Sequence, residues 1–419
     1  MAESAVSTSI NVSRSLRTPA ERIARRIALS AFSRLRTGCV IVHEGSDPPM
    51  SFGNEDAAPI AVHIHSARTY LRIVLEGSLG AGRAWVDGDW SCPDPTALMR
   101  LLLSEPGLVG PKGRLDSPLA RCASIGRRLM ARLVRNSESG SRRNIAAHYD
   151  LGNSFYAAML DPSMTYSAAS FATGAETLEE AQSEKYDRLC RALDLRPGHR
   201  LLEIGTGWGG FALHAATRYG CHVTTTTISR AQFEEAKSRV EKAGLEEQVE
   251  VLFQDYRNLE GRFDRLVSIE MIEAVGAEYL DTFFQVCNDR LLPNGMMGLQ
   301  AIVIADQHYE RSRRHVDFIK KYVFPGGFLP SINAISDRVS RVTDFRIQSL
   351  SDLTPDYAET IRRWRANLEA NPNAYDSVSE RAEFKRLWEY YLAYCEAGFE
   401  ERHIGCVQLT LTRSKWRPT

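Results

Sequence analysis

The chain has 419 residues, 43% hydrophobic content and no net charge, 52 basic side chains facing 52 acidic ones; it is too long for one ordinary core and fits two or three folding units. No run of about eighteen apolar residues is present to span a bilayer, and the polar start Met1–Ser13 has no signal-peptide core, so the expected location is cytoplasmic. The eight cysteines are scattered without Cys-x-x-Cys spacing, which excludes zinc and dithiol redox work and leaves reduced, mostly buried thiols with no metal site.

Thr18-Pro19-Ala20-Glu21 has the form of a capping box, and Ile23, Ile27, Phe32 and Leu35 recur at helical spacing, predicting a helix over 19–35. Cys39–His43, Ile60–Ser66 and Tyr70–Glu76 are alternating or β-branched and read as strands, while Gly77–Trp90 is punctuated by glycine like a hairpin or turn. Residues 1–104 therefore read as a small α+β domain. A linker at 105–143 follows, rich in Pro and Gly at Pro106, Gly107, Gly110, Pro111 and Gly113. Within it, Arg121–Arg135 spaces Ile125, Leu129 and Leu133 by four, with Arg121, Arg128, Arg132 and Arg135 for the opposite side. This suits a helix lying on a membrane surface, or one docked on its own protein with a solvated basic face. Residues 1–150 carry about six more Lys and Arg than Asp and Glu. An anionic membrane surface fits that excess; nucleic acid does not, because no zinc knuckle, recognition helix or stacking motif accompanies it.

From residue 144 to 419 helices and strands alternate, which predicts a doubly wound, Rossmann-like α/β domain. Its strand candidates are Arg200–Ile204, His222–Thr227, Val249–Phe253, Arg265–Ser268, Gly298–Ala305 and Cys406–Arg413. Asp306–Pro330 interrupts the alternation with aromatic and charged residues, as a substrate-covering lid or a plain surface elaboration would.

Leu201-Leu-Glu-Ile-Gly-Thr-Gly-Trp-Gly-Gly210 is an apolar strand ending in an acidic residue and a glycine-rich turn before a helix. Gly205 and Gly207 let backbone approach a ligand where a side chain would clash, and the helix start offers free N–H groups. Glu203 discriminates: a carboxylate at the strand tip would repel a dinucleotide's pyrophosphate but attract the ammonium of S-adenosylmethionine. The loop therefore reads as that of a class I methyltransferase. After the next strand, Thr227, Ser229 and Gln232 offer hydroxyls and an amide to a ribose, although Ser229 also suits a helix cap. After the third, Asp255 and Tyr256 suit an adenine amino group and ring, although Asp255 also suits a turn cap.

Further segments bear a family likeness. Asn144-Ile-Ala-Ala-His-Tyr-Asp-Leu-Gly-Asn153, Met164-Thr-Tyr-Ser167, the glycine loop, Ser268-Ile-Glu-Met-Ile-Glu-Ala-Val-Gly276, Lys321-Tyr-Val-Phe-Pro-Gly-Gly327, Asp356-Tyr-Ala-Glu-Thr360 and Tyr390–Phe399 together resemble the cyclopropane fatty-acyl-phospholipid synthase and mycolic acid methyltransferase family. The resemblance covers the chain from about Asn144 onward. It implies an S-adenosylmethionine-dependent enzyme acting on a cis-unsaturated acyl chain of a membrane phospholipid, peripherally associated with the inner face of the cell membrane. Tyr166 and Ser167 would join the cofactor site. Tyr166, Tyr309, Phe318, Tyr322, Phe324 and Phe328 are candidates for an apolar tunnel that stabilises a carbocation, or are ordinary core aromatics.

The resemblance also implies a bound bicarbonate as the base. Its cradle carries over to Glu273, Tyr357 and the backbone amide of Ile302. Two positions depart from the family pattern: Ala168 stands for a cysteine and Gln300 for a histidine. The departures leave the product open between a methylene-branched chain of the 10-methylene stearoyl type, slightly favoured, and a cyclopropane. A reductase acting on the product and a second copy of the chain are candidate partners. The rival readings are a methyltransferase for a soluble small molecule and an inactive lipid-binding protein on the same fold.

Overall fold

The computed structural model describes residues 18–105, 152–376, 378 and 381–418. The basic segment Arg121–Arg135 and the motif residues 144–151 lie outside the described residues. The chain forms two compact units, one from 1–127 with 380–401, the other from 128–379 with 402–419.

In the first unit the Thr18 hydroxyl accepts the Glu21 N–H and the Glu21 carboxylate accepts the Thr18 N–H, starting the helix Pro19–Phe32. Strands β1 (Cys39–Glu44), β2 (Met50–Gly53), β3 (Pro59–Ile64) and β4 (Trp90–Ser91) form a sheet in the order β2-β1-β3-β4, with β1 and β3 parallel. Two expectations fail here. Tyr70–Glu76 is not a strand but the body of the helix Arg68–Glu76, and Gly77–Trp90 is not a hairpin but contains the helix Ser78–Val86. Tyr70 and Val74, four apart, are buried while Leu75 is exposed, so helical spacing outweighs the β-branched content of the run. Gly77, at φ 64°, makes the break between the two helices. Gly80 serves their contact: a Cβ there would lie 2.0 Å from the Arg72 carbonyl oxygen.

The helix Arg381–Glu400, late in sequence, belongs to this first unit. It packs on Ser78–Val86 and on Pro95–Ser104. The Trp85 indole N–H donates to the Arg386 carbonyl at 3.0 Å, and the Tyr390 ring lies 6.0 Å from that of Trp85.

The second unit holds the doubly wound sheet. Its strands β5 (Arg200–Ile204), β6 (His222–Thr227), β7 (Val249–Phe253), β8 (Phe263–Ile269), β9 (Leu291–Ile304), β10 (Arg346–Asp352) and β11 (Ile404–Thr412) lie in the order β10-β11-β9-β8-β5-β6-β7. Pairs from β9 across to β7 are parallel, whereas β11 is antiparallel to both β9 and β10. The chain runs outward from β5 through β6 to β7 and then returns to β8 on the other side of β5. The carboxyl ends of β5 and β8 thus form a topological switch point, where ligands of open α/β sheets bind. One apolar cluster, including Leu202, Leu266, Phe283, Phe284 and Leu299, fills one side of the sheet, and a second, including Leu189, Leu201, Phe211, Val223 and Val267, fills the other. The insertion after β9 forms the short helices Asp306–Ser312 and Phe318–Tyr322.

Candidate active site

Glu203 sits near the end of β5, and the chain then turns through three glycines with positive φ: Gly205 at 104°, Gly207 at 54° and Gly209 at 89°. Nothing lies within 4 Å of where a Cβ on Gly207 would stand. The helix Gly210–Tyr219 begins there without a side-chain cap, leaving its first amides directed to the loop. Glu203 is buried, and its Oε2 accepts the Thr225 hydroxyl at 2.6 Å. Burial pushes its carboxyl up to about 8, against the opposing pull of Thr225 and of the Lys185 ammonium. A buried acid with so little neutralisation beside room for a ligand matches a cationic amino acid moiety, so these residues fit S-adenosylmethionine.

Thr227, Ser229 and Gln232 form one cluster at the end of β6. Ser229 caps the helix Arg230–Ala243 through the Gln232 N–H at 3.3 Å, and the Thr227 hydroxyl donates to Gln232 Oε1 at 2.9 Å. This fixes the Gln232 amide with its NH2 end turned from Thr227. Asp255 and Tyr256 form a separate group beyond β7. The Asp255 carboxylate is gripped by the guanidinium of Arg257 at 2.7 Å and caps the following turn, and the Tyr256 ring meets Phe283 edge-on at 5.7 Å.

Tyr166 lies in a continuous group of rings. Its centroid is 5.5 Å from Tyr156, 6.5 Å from Phe324 and 5.2 Å from Trp364; Tyr156 continues to Trp208 of the glycine loop at 4.9 Å, and Trp364 to Tyr357 at 6.1 Å. Of the other candidate aromatics, Tyr309 and Phe328 belong to the apolar core beside the sheet, and Phe318 pairs with Tyr322 at 5.3 Å. The Arg239 guanidinium donates to the Ser163 and Trp208 carbonyls, at 2.8 and 2.9 Å, and so ties the loop carrying Tyr166 to the glycine loop.

The residues matched to the bicarbonate cradle do come together, but around a side chain the sequence reading passed over. Glu270, the first residue beyond β8, points its carboxylate into them. Its Oε1 accepts the Ala168 N–H at 2.9 Å and the Gln300 Nε2 at 2.7 Å, and its Oε2 accepts the Tyr357 hydroxyl at 2.6 Å. Gln300 is held in that orientation by Gln408, whose Nε2 donates to Gln300 Oε1 at 2.9 Å. The Ile302 amide, the remaining donor, goes to Glu273 Oε1 at 2.5 Å, while the buried Glu273 Oε2 has no partner. The Tyr357 hydroxyl, the Gln300 amide and the Ala168 and Ile302 N–H groups are therefore each engaged by a carboxylate of the chain, and bicarbonate does not fit among these donors as they stand.

Burial raises the Glu270 carboxyl, opposed by its Tyr357, Ala168 and Gln300 bonds, and burial with the charge of Glu270 pushes Glu273 up to about 8. Cys406 of β11 places its thiol 3.7 Å from Glu270 Oε1, the oxygen that also accepts the Ala168 N–H. Lys185 is wholly buried and brought down to about 8 by that burial; its Nζ donates to the Ser167 hydroxyl at 2.7 Å. The signal for Glu270 was the one that found Glu203, an acidic residue at the tip of an apolar strand. Lys185 was legible as a lysine on the buried stripe Leu178, Ala181, Gln182, Tyr186 and Leu189.

Residues 136–409 match the family model described as mycolic acid cyclopropane synthetase. The chain belongs to this family. It is accordingly an S-adenosylmethionine-dependent fatty acyl methyltransferase of the cyclopropane-synthase type on a class I methyltransferase fold. Tuberculostearic acid methyltransferase UfaA1 of Mycobacterium tuberculosis is 37% identical over 349 residues, 82% of this chain and 80% of that protein. Cyclopropane-fatty-acyl-phospholipid synthase of Escherichia coli K12 is 36% identical over 361 residues, 85% of this chain and 89% of its own length. The crystal structure of mycolic acid cyclopropane synthase CmaA1 complexed with SAH and CTAB aligns with a TM-score of 0.60 at 32% identity, covering 65% of this chain and 98% of that one.

Proposed function

We propose that this enzyme transfers a one-carbon unit from S-adenosylmethionine to the cis double bond of an unsaturated acyl chain in a membrane phospholipid, working at the inner face of the membrane. The observation that carries the reading is the ring group from Trp208 through Tyr156, Tyr166 and Trp364 to Tyr357, which joins the cofactor loop to the Glu270 carboxylate. In this reaction the alkene π pair attacks the sulfonium methyl, a C–C bond forms, the C–S bond breaks, and a carbocation is left on the chain. Ring faces stabilise such a cation and exclude the water that would trap it. A soluble, polar substrate would gain nothing from that lining. Glu203, Gly205, Gly207, Tyr166, Ser167, Thr227, Ser229 and Gln232 would hold the methyl donor, with Asp255 and Tyr256 at the adenine end. The favoured product is methylene-branched, because a cation shielded by rings lives long enough for a hydride shift before its proton is removed. Among the described residues no helix is long and apolar enough to cross a membrane, which suits attachment from one side.

Mass spectrometry of total fatty acids from a host expressing the chain tests the proposal. The expected result is a methylene-branched acyl chain. A cyclopropane would overturn the product, and unmodified fatty acids from a well-expressed protein would overturn the substrate class. Gly207→Val, which fills the open space beside the loop, should abolish both the product and affinity for S-adenosylhomocysteine in calorimetry.

A further inference from the structure

Resting on the methyl-transfer reading above, we infer that Glu270 is the base of this enzyme: its carboxylate takes the place of a bound bicarbonate, and the chemistry needs no added anion. A bicarbonate and a glutamate side chain present the same planar pair of oxygens to donors. Here the Tyr357 hydroxyl, the Gln300 amide and the Ala168 N–H converge on Glu270, from the helix Thr354–Ala370, from β9 and from the loop before Leu178. Those partners come from parts of the chain 87, 30 and 102 residues away, so the arrangement is built by the tertiary fold rather than by local capping.

A second observation is independent of the bonds. Glu270 has φ 48°, in the left-handed region that glycine adopts freely and glutamate does not. A side chain kept at such a position is there for what its atoms do. The place is also right: Glu270 follows β8 at the switch point, and its neighbour Met271 lies 3.1 Å from where a Cβ of Gly205 in the cofactor loop would stand. Ala168 in place of a cysteine and Gln300 in place of a histidine follow from the same cause, since a fixed carboxylate needs fewer side-chain donors than a diffusible anion.

In the step itself a Glu270 oxygen takes a proton from the carbon delivered by the methyl donor. The C–H bonding pair becomes the new C=C bond after a hydride shift, or the closing C–C bond of a cyclopropane without one. Glu270 is left as the neutral acid and returns its proton to water when the product leaves. Glu273, with one oxygen on the Ile302 amide and the other unpartnered, lies beside it; the Lys185 ammonium acts on Glu270 by charge, and the neutral Cys406 thiol lies 3.7 Å from its Oε1.

The test compares the full-length protein with Glu270→Gly and Glu270→Gln on vesicles of cis-unsaturated phospholipid, in buffer stripped of carbon dioxide and in the same buffer with bicarbonate added. The unaltered enzyme should turn over equally in both, within about twofold. Both variants should lose on the order of a hundredfold in stripped buffer while keeping affinity for S-adenosylhomocysteine. Bicarbonate should restore Glu270→Gly, in which the space and its donors are vacated, but not Glu270→Gln, whose amide still fills it. Glycine suits the backbone at this position, so the rescued variant is expected to fold. In parallel, carbon-13 NMR of labelled bicarbonate should show saturable binding to Glu270→Gly and none to the unaltered enzyme. Dependence of the unaltered enzyme on bicarbonate, or a parental rate for Glu270→Gln in stripped buffer, would overturn the inference. If the unaltered enzyme methylates no acyl chain under either condition, the methyl-transfer reading fails instead, and the NMR comparison still decides whether Glu270 fills an anion site.

Discussion

Glu203 and Lys185 are buried, and Glu270 and Glu273 half-buried, around the switch point of one sheet, and their protonation decides what the site can do. Glu203, Glu270 and Glu273 are all raised, chiefly by burial, and Lys185 is lowered by it. A carboxyl raised on folding binds its proton more tightly in the folded than in the unfolded chain, so its contribution to stability is full below the unfolded value and is lost as pH rises through the folded one. For Glu273 that window runs from about 4.5 to about 8. Glu273→Gln is close in shape to the protonated acid and cannot ionise. The gain in stability of this variant over the parent should therefore be small at pH 4.5 and grow as pH approaches 8, to at most about 5 kcal/mol. Chemical denaturation across that range measures it; a difference that does not change with pH would show that Glu273 ionises in the folded protein as it does in water. Single residues were unevenly legible in the sequence. Glu203, Gly205 and Gly207 follow from strand-tip logic alone, and Tyr357, Gln300 and Ile302 from motif matches. Glu270 carries the same strand-tip signal as Glu203, but with two glutamates three apart in Glu-Met-Ile-Glu only the side-chain directions tell which carboxylate Tyr357 and Gln300 meet.

At the level of elements, the parallel strands were the most legible part of the fold. Arg200–Ile204, His222–Thr227 and Val249–Phe253 are runs rich in apolar and β-branched residues between clear breaks, the first two mostly buried and the third half-buried, and they form strands over the expected residues. Strand β10 was not anticipated, because Arg346–Asp352 is an edge strand whose residues are almost all exposed and carry no apolar alternation. The helix Arg68–Glu76 was misread for the β-branched content of its run, and Ser78–Val86 because a glycine can mark a turn or a close approach, and the sequence does not say which. Gly80 marks a close approach. Gly80→Ala should force these two helices apart at the Arg72 carbonyl, a contact with backbone that no rotamer change relieves, and destabilise the first unit by about 1–3 kcal/mol. Thermal unfolding would register this as a transition several degrees lower. An unchanged midpoint would mean that the helices do not approach as closely as the structure has them.

For the molecule as a whole, equal numbers of acidic and basic residues conceal a polarity along the chain: residues 1–150 are basic by about six charges, and the remainder is acidic by as many. A substrate held in a bilayer must be reached from its surface, and anionic lipid attracts basic side chains with about 1 kcal/mol each at close range. Several such residues acting together would hold the enzyme at the membrane without a spanning helix, and salt would loosen that hold, since the Debye length falls from about 10 Å at 0.1 M to about 3 Å at 1 M. The expected outcome in vesicle sedimentation is strong binding to anionic vesicles at low salt, weaker binding to neutral ones, and a loss of about tenfold or more on anionic vesicles as salt rises from about 0.05 to about 0.5 M. Neutralising Arg121, Arg128, Arg132 and Arg135 together should reproduce the effect of salt while leaving affinity for S-adenosylhomocysteine unchanged, because none of these residues belongs to the cofactor loop. Equal binding to neutral and anionic vesicles at both salt levels would remove the electrostatic part of the proposal, and apolar insertion would then have to supply the attachment.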